Sequence, residues 1–546
     1  MEAHTPDVSR LTNPVLRIVR VLAVQATGAG YSEDLVAVQA QPMPVSGRPA
    51  PCPSHPDGHG QVQADNATAE AVVRREAVLR RHRERFTAPP VTPGFRAVRE
   101  VAEAVSVGLV LDGPAGSEHG WPVAWGDCVA VSYSGTAGRE PVFRAAEGMA
   151  TIRHVVIPVL VGRDLTGFRA LATELDALTE TVEVVRPLPA PPRPAAGEGL
   201  SRRALLTAPA RALASSQAAR EGHPATERVV VERALHPAIR YGVSQALLQA
   251  AALDRGLTMA EVIAQEWGLP LPDAPVPLHA QSGSERETNA DKMIVRRLVS
   301  LPHALVDDIP SQLGSDGSEL ARYIRWLRDR IRDLGGADYF PTIHLDLHGA
   351  LGAICDNQPG KMLGHLYGWQ SAAQPYPLRI ECPMLLDSRH AQIEAMRTLR
   401  DYVRSRKLNV HLVADEWANT LEDIRAFVQA QAADVIHIKM PDLGSIHNSV
   451  EAVLACKAGG IDAFLGGSYA ETDLSARVSV HVALAARADL LMAKPGMGVD
   501  EAVSLTQNEM GRVLAEIRNS AKEAACPARR HTAEAVLRRV LRREPL

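Results

Sequence analysis

From about residue 275 onward the chain repeats one unit: a short apolar run of strand character, then an amphipathic segment, then another apolar run. The runs "TIHLDL", "PLRIE", "VHLVAD", "VIHIK", "DAFLGG" and "LLMAK" read as strands. Between them lie "QIEAMRTLRDYVRSR", "TLEDIRAFVQAQ", "NSVEAVLACKAG" and "SARVSVHVALAAR", each with apolar residues at helical spacing. Sustained β-then-α alternation implies a parallel sheet, because a parallel neighbour is reached only by a crossover and the crossovers here are helical. This many units in sequence favour a closed TIM-type (β/α) barrel over an open doubly wound sheet. No Gly-rich dinucleotide fingerprint follows any of the strands, which weakens the open alternative further.

The first half of the chain has another texture. Residues 15–40 and 94–170 mix strand runs ("SVGLVLDG", "GDCVAVSYSG") with amphipathic helix ("DLTGFRALATELDALTE"), the pattern of an α+β domain. Two insertions interrupt it, near 41–92 and 186–232. The first holds a Pro/Gly-rich loop and the Arg-rich "AVVRREAVLRRHRERF", a basic helix of the kind that ordinarily forms a solvated face; the second holds the extended "RPLPAPPRPAAGEGLSRR". We expect the α+β domain over 1–274, the barrel over 275–520 and a basic tail over 521–546.

With a net charge of -4 over 546 residues, the chain carries no electrostatic footprint for nucleic acid or for a membrane surface. "MEAHTPDVSR" has no apolar targeting core and no later run is long enough to span a bilayer, so a cytoplasmic location is expected. The six cysteines lack CxxC spacing and read as free thiols rather than as a zinc ribbon or a disulfide framework.

In a (β/α) barrel, chemistry sits at the carboxyl ends of the strands. Those ends hold Asp346, Glu381, Asp415 and Lys439, spaced 35, 34 and 24 residues apart, each about one βα unit. A single carboxylate at a strand end is ordinarily a helix cap or an ion-pair partner. Three in phase would bring three negative charges into one low-dielectric mouth, at a cost that calls for a cation. All-oxygen ligation with open positions suits Mg²⁺ better than zinc. The strand "IHLDLH" also aligns His344, Asp346 and His348 on one face, as in a barrel metal hydrolase. The later strands end in Glu, Asp and Lys rather than His, so these two histidines are expected to pack near the site.

Lys439 stands in a run that otherwise reads as buried strand. A bound cation and desolvation both lower a lysine pKa, and a neutral amine can act as a base. Cation, lysine and pocket together suit abstraction of a proton from carbon next to a carboxylate.

These residues resemble the enolase superfamily, whose sites pair a Lys or His base with Mg²⁺. In particular the chain resembles its methylaspartate ammonia-lyase branch, in "HPAIRYGVSQA", "AQSG" followed by "DKMI", "LPHAL", "HLDLHGALG", "LRIECP", "VADEWANT", "IKMPDLG", "LGGSYAETD" and "AKPGMGVDE". The resemblance implies an α+β capping domain over the barrel, a homodimer, Mg²⁺ with K⁺ as an activator, and reversible loss of ammonia from a 3-substituted aspartate to give a fumarate-type diacid such as mesaconate. It implies Asp346, Glu381 and Asp415 as metal ligands, Lys439 as base for the C3 proton, and His303 as the group across the substrate. Gln281 would hydrogen-bond the substrate. A racemase or dehydratase of the same superfamily would share metal and base and would release no ammonia. A non-catalytic relative would be expected to lose one of them.

The chain departs from this family where substrate is held. His437 stands where Gln is usual, Ser468 and Tyr469 where Thr and Cys are usual, Ser132 for Gln and Met492 for Leu. The altered wall points to a substrate that differs from 3-methylaspartate in size or polarity.

Overall fold

A computed structural model describes residues 15–39, 76–112 except 78, 122–187 except 166, and 226–525. The Pro-rich stretches 41–75 and 188–225, the basic tail from 526, Cys52 and Cys526 lie outside the described residues. Those up to Leu175 and from His236 on form one compact unit, and Asp176–Leu235 form a second. The second unit is an antiparallel ribbon of β4 (Thr179–Pro187) and β5 (Thr226–Ala234), paired from Thr179↔Ala234 to Pro187↔Thr226.

In the larger unit, β1 (Ile18–Glu33), β2 (Arg99–Leu111) and β3 (Val123–Cys128) form an antiparallel sheet in that order. Helix Pro237–Arg255 packs on it. Pro237 pre-sets the first turn, the His236 side chain accepts from Ala238 N–H, and the helix stops at Gly256, whose φ of 61° is left-handed. Glycines let helix and sheet meet: a Cβ on Gly126 would stand 2.0 Å from the Gly242 carbonyl oxygen, and one on Gly242 2.3 Å from Cys128 N.

The expected barrel is present and closed. Its eight parallel strands are β6 (Leu278–His279), β7 (Ser300–His303), β8 (Thr342–Asp346), β9 (Leu378–Glu381), β10 (Val410–Ala414), β11 (Val435–Ile438), β12 (Asp462–Leu465) and β13 (Leu490–Met492). Val413, Val435, Phe464, Leu490 and Met492 fill its interior. Outside, amphipathic helices bury an apolar stripe, whereas Asp473–Ala486 is buried on almost every side. Ser318–Gly335 hides Leu320, Ile324, Leu327 and Ile331, at spacings of three and four, and each such side chain contributes about 1.5–3 kcal/mol by leaving water. Cys128, Cys355, Cys382 and Cys456 are buried free thiols, as expected. Among the described residues, no helix is long and apolar enough to cross a membrane.

The cap sheet meets the barrel mouth through β1. Its pairing with β2 breaks register between Thr27 and Tyr31, and Ala29 N–H there donates to the Glu471 carbonyl at 3.0 Å. Side chains are excluded from this contact, since a Cβ on Gly28 would stand 2.1 Å from the Ala470 oxygen and one on Gly30 2.5 Å from that of Tyr469.

Candidate active site

Parallel register sets the carboxylates side by side. Asp346 pairs with Glu381 across β8 and β9, Glu381 pairs with Val413, and Asp415 lies two residues further on the same face. Val413 pairs with Val435, so His437, two further along β11, stands beside Asp415. Four strand ends leave through left-handed backbone at non-glycine residues: His303 (φ 64°), His348 (φ 45°), Cys382 (φ 42°) and Trp417 (φ 67°). Such residues cost about 1–3 kcal/mol each and persist only where the surroundings over-determine them, so strain gathers at this mouth.

Gln281, His303, Asp346, Asp415, His437, Lys439, Ser468, Tyr469, Met492 and Ser132 all line one cavity of about 40 Å³ beneath the cap. Glu381 is fully buried alongside. Its carboxylate is held from both sides, with His344 Nε2 2.6 Å from Oε2 and His437 Nδ1 2.6 Å from Oε1. His344 therefore does more than the packing expected of it. His348 is placed differently: its Nδ1 is 3.5 Å from Glu416 Oε1 and its ring tilts against Tyr133. His303 Nε2 is 3.3 Å from Asp346 Oδ2, and its Nδ1 meets His279 Nε2 at 3.2 Å. Gln281 Oε1 is buried with no hydrogen-bond partner among the described residues, an acceptor left open at the cavity.

Lys439 Nζ lies 2.6 and 2.7 Å from the two oxygens of Asp415 and 3.8 Å from Glu416 Oε1. Burial disfavours its ammonium form, but Asp415 and Glu416 outweigh burial and raise its pKa. The depressed lysine expected from the sequence concerns the cation-bound site; in the metal-free chain the carboxylates beside Lys439 set the opposite direction. Burial likewise works against ionised Asp415, and Lys439, His437 and Arg139 hold its pKa well below the usual carboxylate range. In His303 burial is overcome by Glu381 and Asp346, and the pKa is raised.

Residues passed over in the sequence complete the site. Arg139, from the cap, is an ion-pair partner of Glu416 and of Asp442, the latter at 2.8 Å. Lys494 Nζ lies 2.7 Å from Glu471 Oε2 and donates to the Gly466 carbonyl at 2.9 Å. Glu416, Asp442, Glu471 and Lys494 all stand inside the quoted motifs "VADEWANT", "IKMPDLG", "LGGSYAETD" and "AKPGMGVDE", which was the available signal. Tyr469 lines the cavity and also stacks on Tyr31 of β1, with ring centres 5.0 Å apart, while the Arg99 guanidinium lies 3.9 Å over Tyr31. Ser132 and Ser468 bring their hydroxyls to 3.1 Å across the cap–barrel seam.

The profile of the family "Methylaspartate ammonia-lyase C-terminus" matches residues 270–519, and that of "Methylaspartate ammonia-lyase N-terminus" matches 78–221 and 203–268. The chain belongs to the methylaspartate ammonia-lyase family. Methylaspartate ammonia-lyase 2 of Carboxydothermus hydrogenoformans is 42% identical over 426 residues, covering 78% of this chain and 89% of the relative. The methylaspartate ammonia-lyase of Clostridium tetanomorphum is 39% identical over 431 residues, covering 79% and 91%. Among solved members of the family, a Mg complex of β-methylaspartase from Clostridium tetanomorphum superposes with a TM-score of 0.69 at 34% identity, over 92% of this chain and 100% of that one. The Citrobacter amalonaticus enzyme containing (2S,3S)-3-methylaspartic acid gives 0.71 at 34% identity, with the same coverage.

Proposed function

We propose that the protein is a Mg²⁺-dependent carbon–nitrogen lyase. It removes ammonia from 3-methylaspartate or a related 3-substituted aspartate to give mesaconate or a related fumarate-type diacid. One observation carries the reading: three buried carboxylates from successive strand ends converge beside a lysine whose side chain is only 12% exposed. The donor set fits a hard divalent cation. Asp346, Glu381 and Asp415 offer oxygens, and the groups that meet them directly are histidines and Lys439, with Arg139 acting on Asp415 from further off. These three would hold the ion. Bound there, Mg²⁺ supplies positive charge for a substrate carboxylate and for the negative charge that builds on it as C3 loses its proton.

Lys439 is the base for that proton in its neutral form, which a cation on Asp415 would favour by taking up the carboxylate charge that otherwise holds the ammonium. The C3–H electron pair becomes the C2=C3 bond as the C2–N bond breaks, and ammonia leaves. Asp415 holds the lysine nitrogen in place, and His303, fixed between Asp346 and His279, faces the substrate from the other side. Gln281 Oε1 accepts from the substrate's amino group, and Ser468, His437 and Tyr469 line the rest of the pocket. Cap residues of the larger unit that line the cavity, Val131, Ser132, Tyr133 and Arg139, close the barrel mouth and keep bulk water from the reacting carbon. A homodimer and activation by K⁺ belong to the same proposal and rest on the family resemblance; a cytoplasmic location belongs to it too and rests on the sequence reading.

The test is ammonia release from a panel of aspartate derivatives, with and without a chelator. The reading predicts Mg²⁺-dependent ammonia together with an unsaturated diacid. Full turnover of the chelated enzyme, or an epimerised amino acid without ammonia, would overturn it.

A further inference from the structure

The Glu381 carboxylate, the Asp415 carboxylate and the His437 imidazole each offer one ligand atom, and these atoms all lie within 4.8 Å of one another. His437 Nδ1 is 2.6 Å from Glu381 Oε1 and 3.6 Å from Asp415 Oδ1. Ligands about 2.1 Å from an ion and at right angles to each other stand about 3 Å apart, so these separations bracket a shared ion. The ring is clamped in that direction. Its face stacks on Phe464 with centres 4.3 Å apart, and its Nε2 lies against Gly466, where a Cβ would stand 1.7 Å away. Nε2 has no hydrogen-bond partner among the described residues, so Nδ1 is the only polar atom the ring offers to the carboxylates. A proton on Nδ1 and a cation are alternatives for the same place between Glu381 and Asp415.

Resting on the metal-dependent reading above, we propose that His437 gives a nitrogen donor to the cation held by Glu381 and Asp415. The site thereby favours a first-row transition ion such as Co²⁺ over Mg²⁺ more strongly than an all-oxygen site would. Imidazole suits such ions, whereas Mg²⁺ takes oxygen ligands and parts reluctantly with water. The usual Gln at this position would offer no imidazole nitrogen.

The experiment uses full-length protein loaded with Mn²⁺ and pulsed electron paramagnetic resonance to detect ¹⁴N coupling. Calorimetric competition of Co²⁺ against Mg²⁺ accompanies it. Wild type should show imidazole ¹⁴N coupling, and His437→Gln and His437→Asn should lose it. The Co²⁺-over-Mg²⁺ preference should fall by at least about tenfold in both variants. Circular dichroism establishes that each is folded, and the Asn variant keeps a polar atom near the position of Nδ1. His303→Gln and His344→Gln, at the two other histidines near these carboxylates, should keep the signal. Wild-type Mn²⁺ without ¹⁴N coupling, or coupling and preference that survive both His437 substitutions, overturns the proposal. Mg²⁺-dependent ammonia release alongside such a result would leave the lyase reading intact, whereas a wild-type protein that binds no divalent ion would overturn both.

Discussion

Replacing Arg139 with methionine removes a buried cation from between two buried carboxylates. The Arg139 side chain is 2% exposed and those of Glu416 and Asp442 are 1% and 7%, so none of the three is screened by solvent. Removing one member of a buried ion pair costs about 3–5 kcal/mol, most of it from the charge left without a partner. Unfolding entropy of roughly 2 cal/mol/K per residue converts this, in a chain of this size, into a fall in Tm of about 3–5 °C. Because the fault is unpaired charge rather than lost volume, Arg139→Met combined with Glu416→Gln and Asp442→Asn should recover more than half of the loss. Thermal melts at pH 7 and urea titrations of wild type, single and triple variants measure this. A single variant that melts within about 1 °C of wild type would refute the reasoning. So would a triple variant less stable than the single one.

Two further outcomes follow from the same geometry. Glu509 is held by His481 and Arg477 against burial, and its pKa is lowered to about 2. A carboxylate with a depressed folded pKa stabilises fully above its unfolded value of about 4.3 and loses that contribution as pH falls towards 2. Glu509→Gln should therefore melt below wild type at pH 6, with the gap closing between about pH 4.3 and 2; a gap independent of pH would contradict this. Tyr469→Cys removes the ring that stacks on Tyr31 and lines the cavity. It should change the ratio of kcat/KM values for 3-methylaspartate and bulkier 3-substituted aspartates by about 10 to 200-fold, and an unchanged ratio would mark the altered wall as neutral.

The barrel was legible because six of its strands, five of four or five residues and β13 of three, lie in apolar runs separated by helical segments. The first two were not. β6 has two residues and β7 four, with Pro302 and His303 inside it, so neither carries an apolar pattern. Asp346, Glu381, Asp415 and Lys439 were legible because parallel strands bring residues at βα spacing to one rim. The buried counter-ions were not, since they join segments far apart in sequence: Arg139 meets Asp442 across 303 positions. The direction of the Lys439 shift in the metal-free chain was not legible for a related reason, because it depends on how near Asp415 and Glu416 come, which spacing alone does not give. Tyr469 could be read as a change of pocket, but not as half of a stacked pair whose other ring comes from β1.

The central claim is that Lys439 removes the C3 proton. It is tested most directly by incubating the Mg²⁺-loaded enzyme in D₂O with (2S,3S)-3-methylaspartate and following the C3 position of unreacted substrate by proton NMR. The account predicts exchange of that proton by wild type, no exchange by Lys439→Ala, and retained exchange by His303→Ala with slowed turnover. Exchange at the wild-type rate in the lysine variant would contradict it.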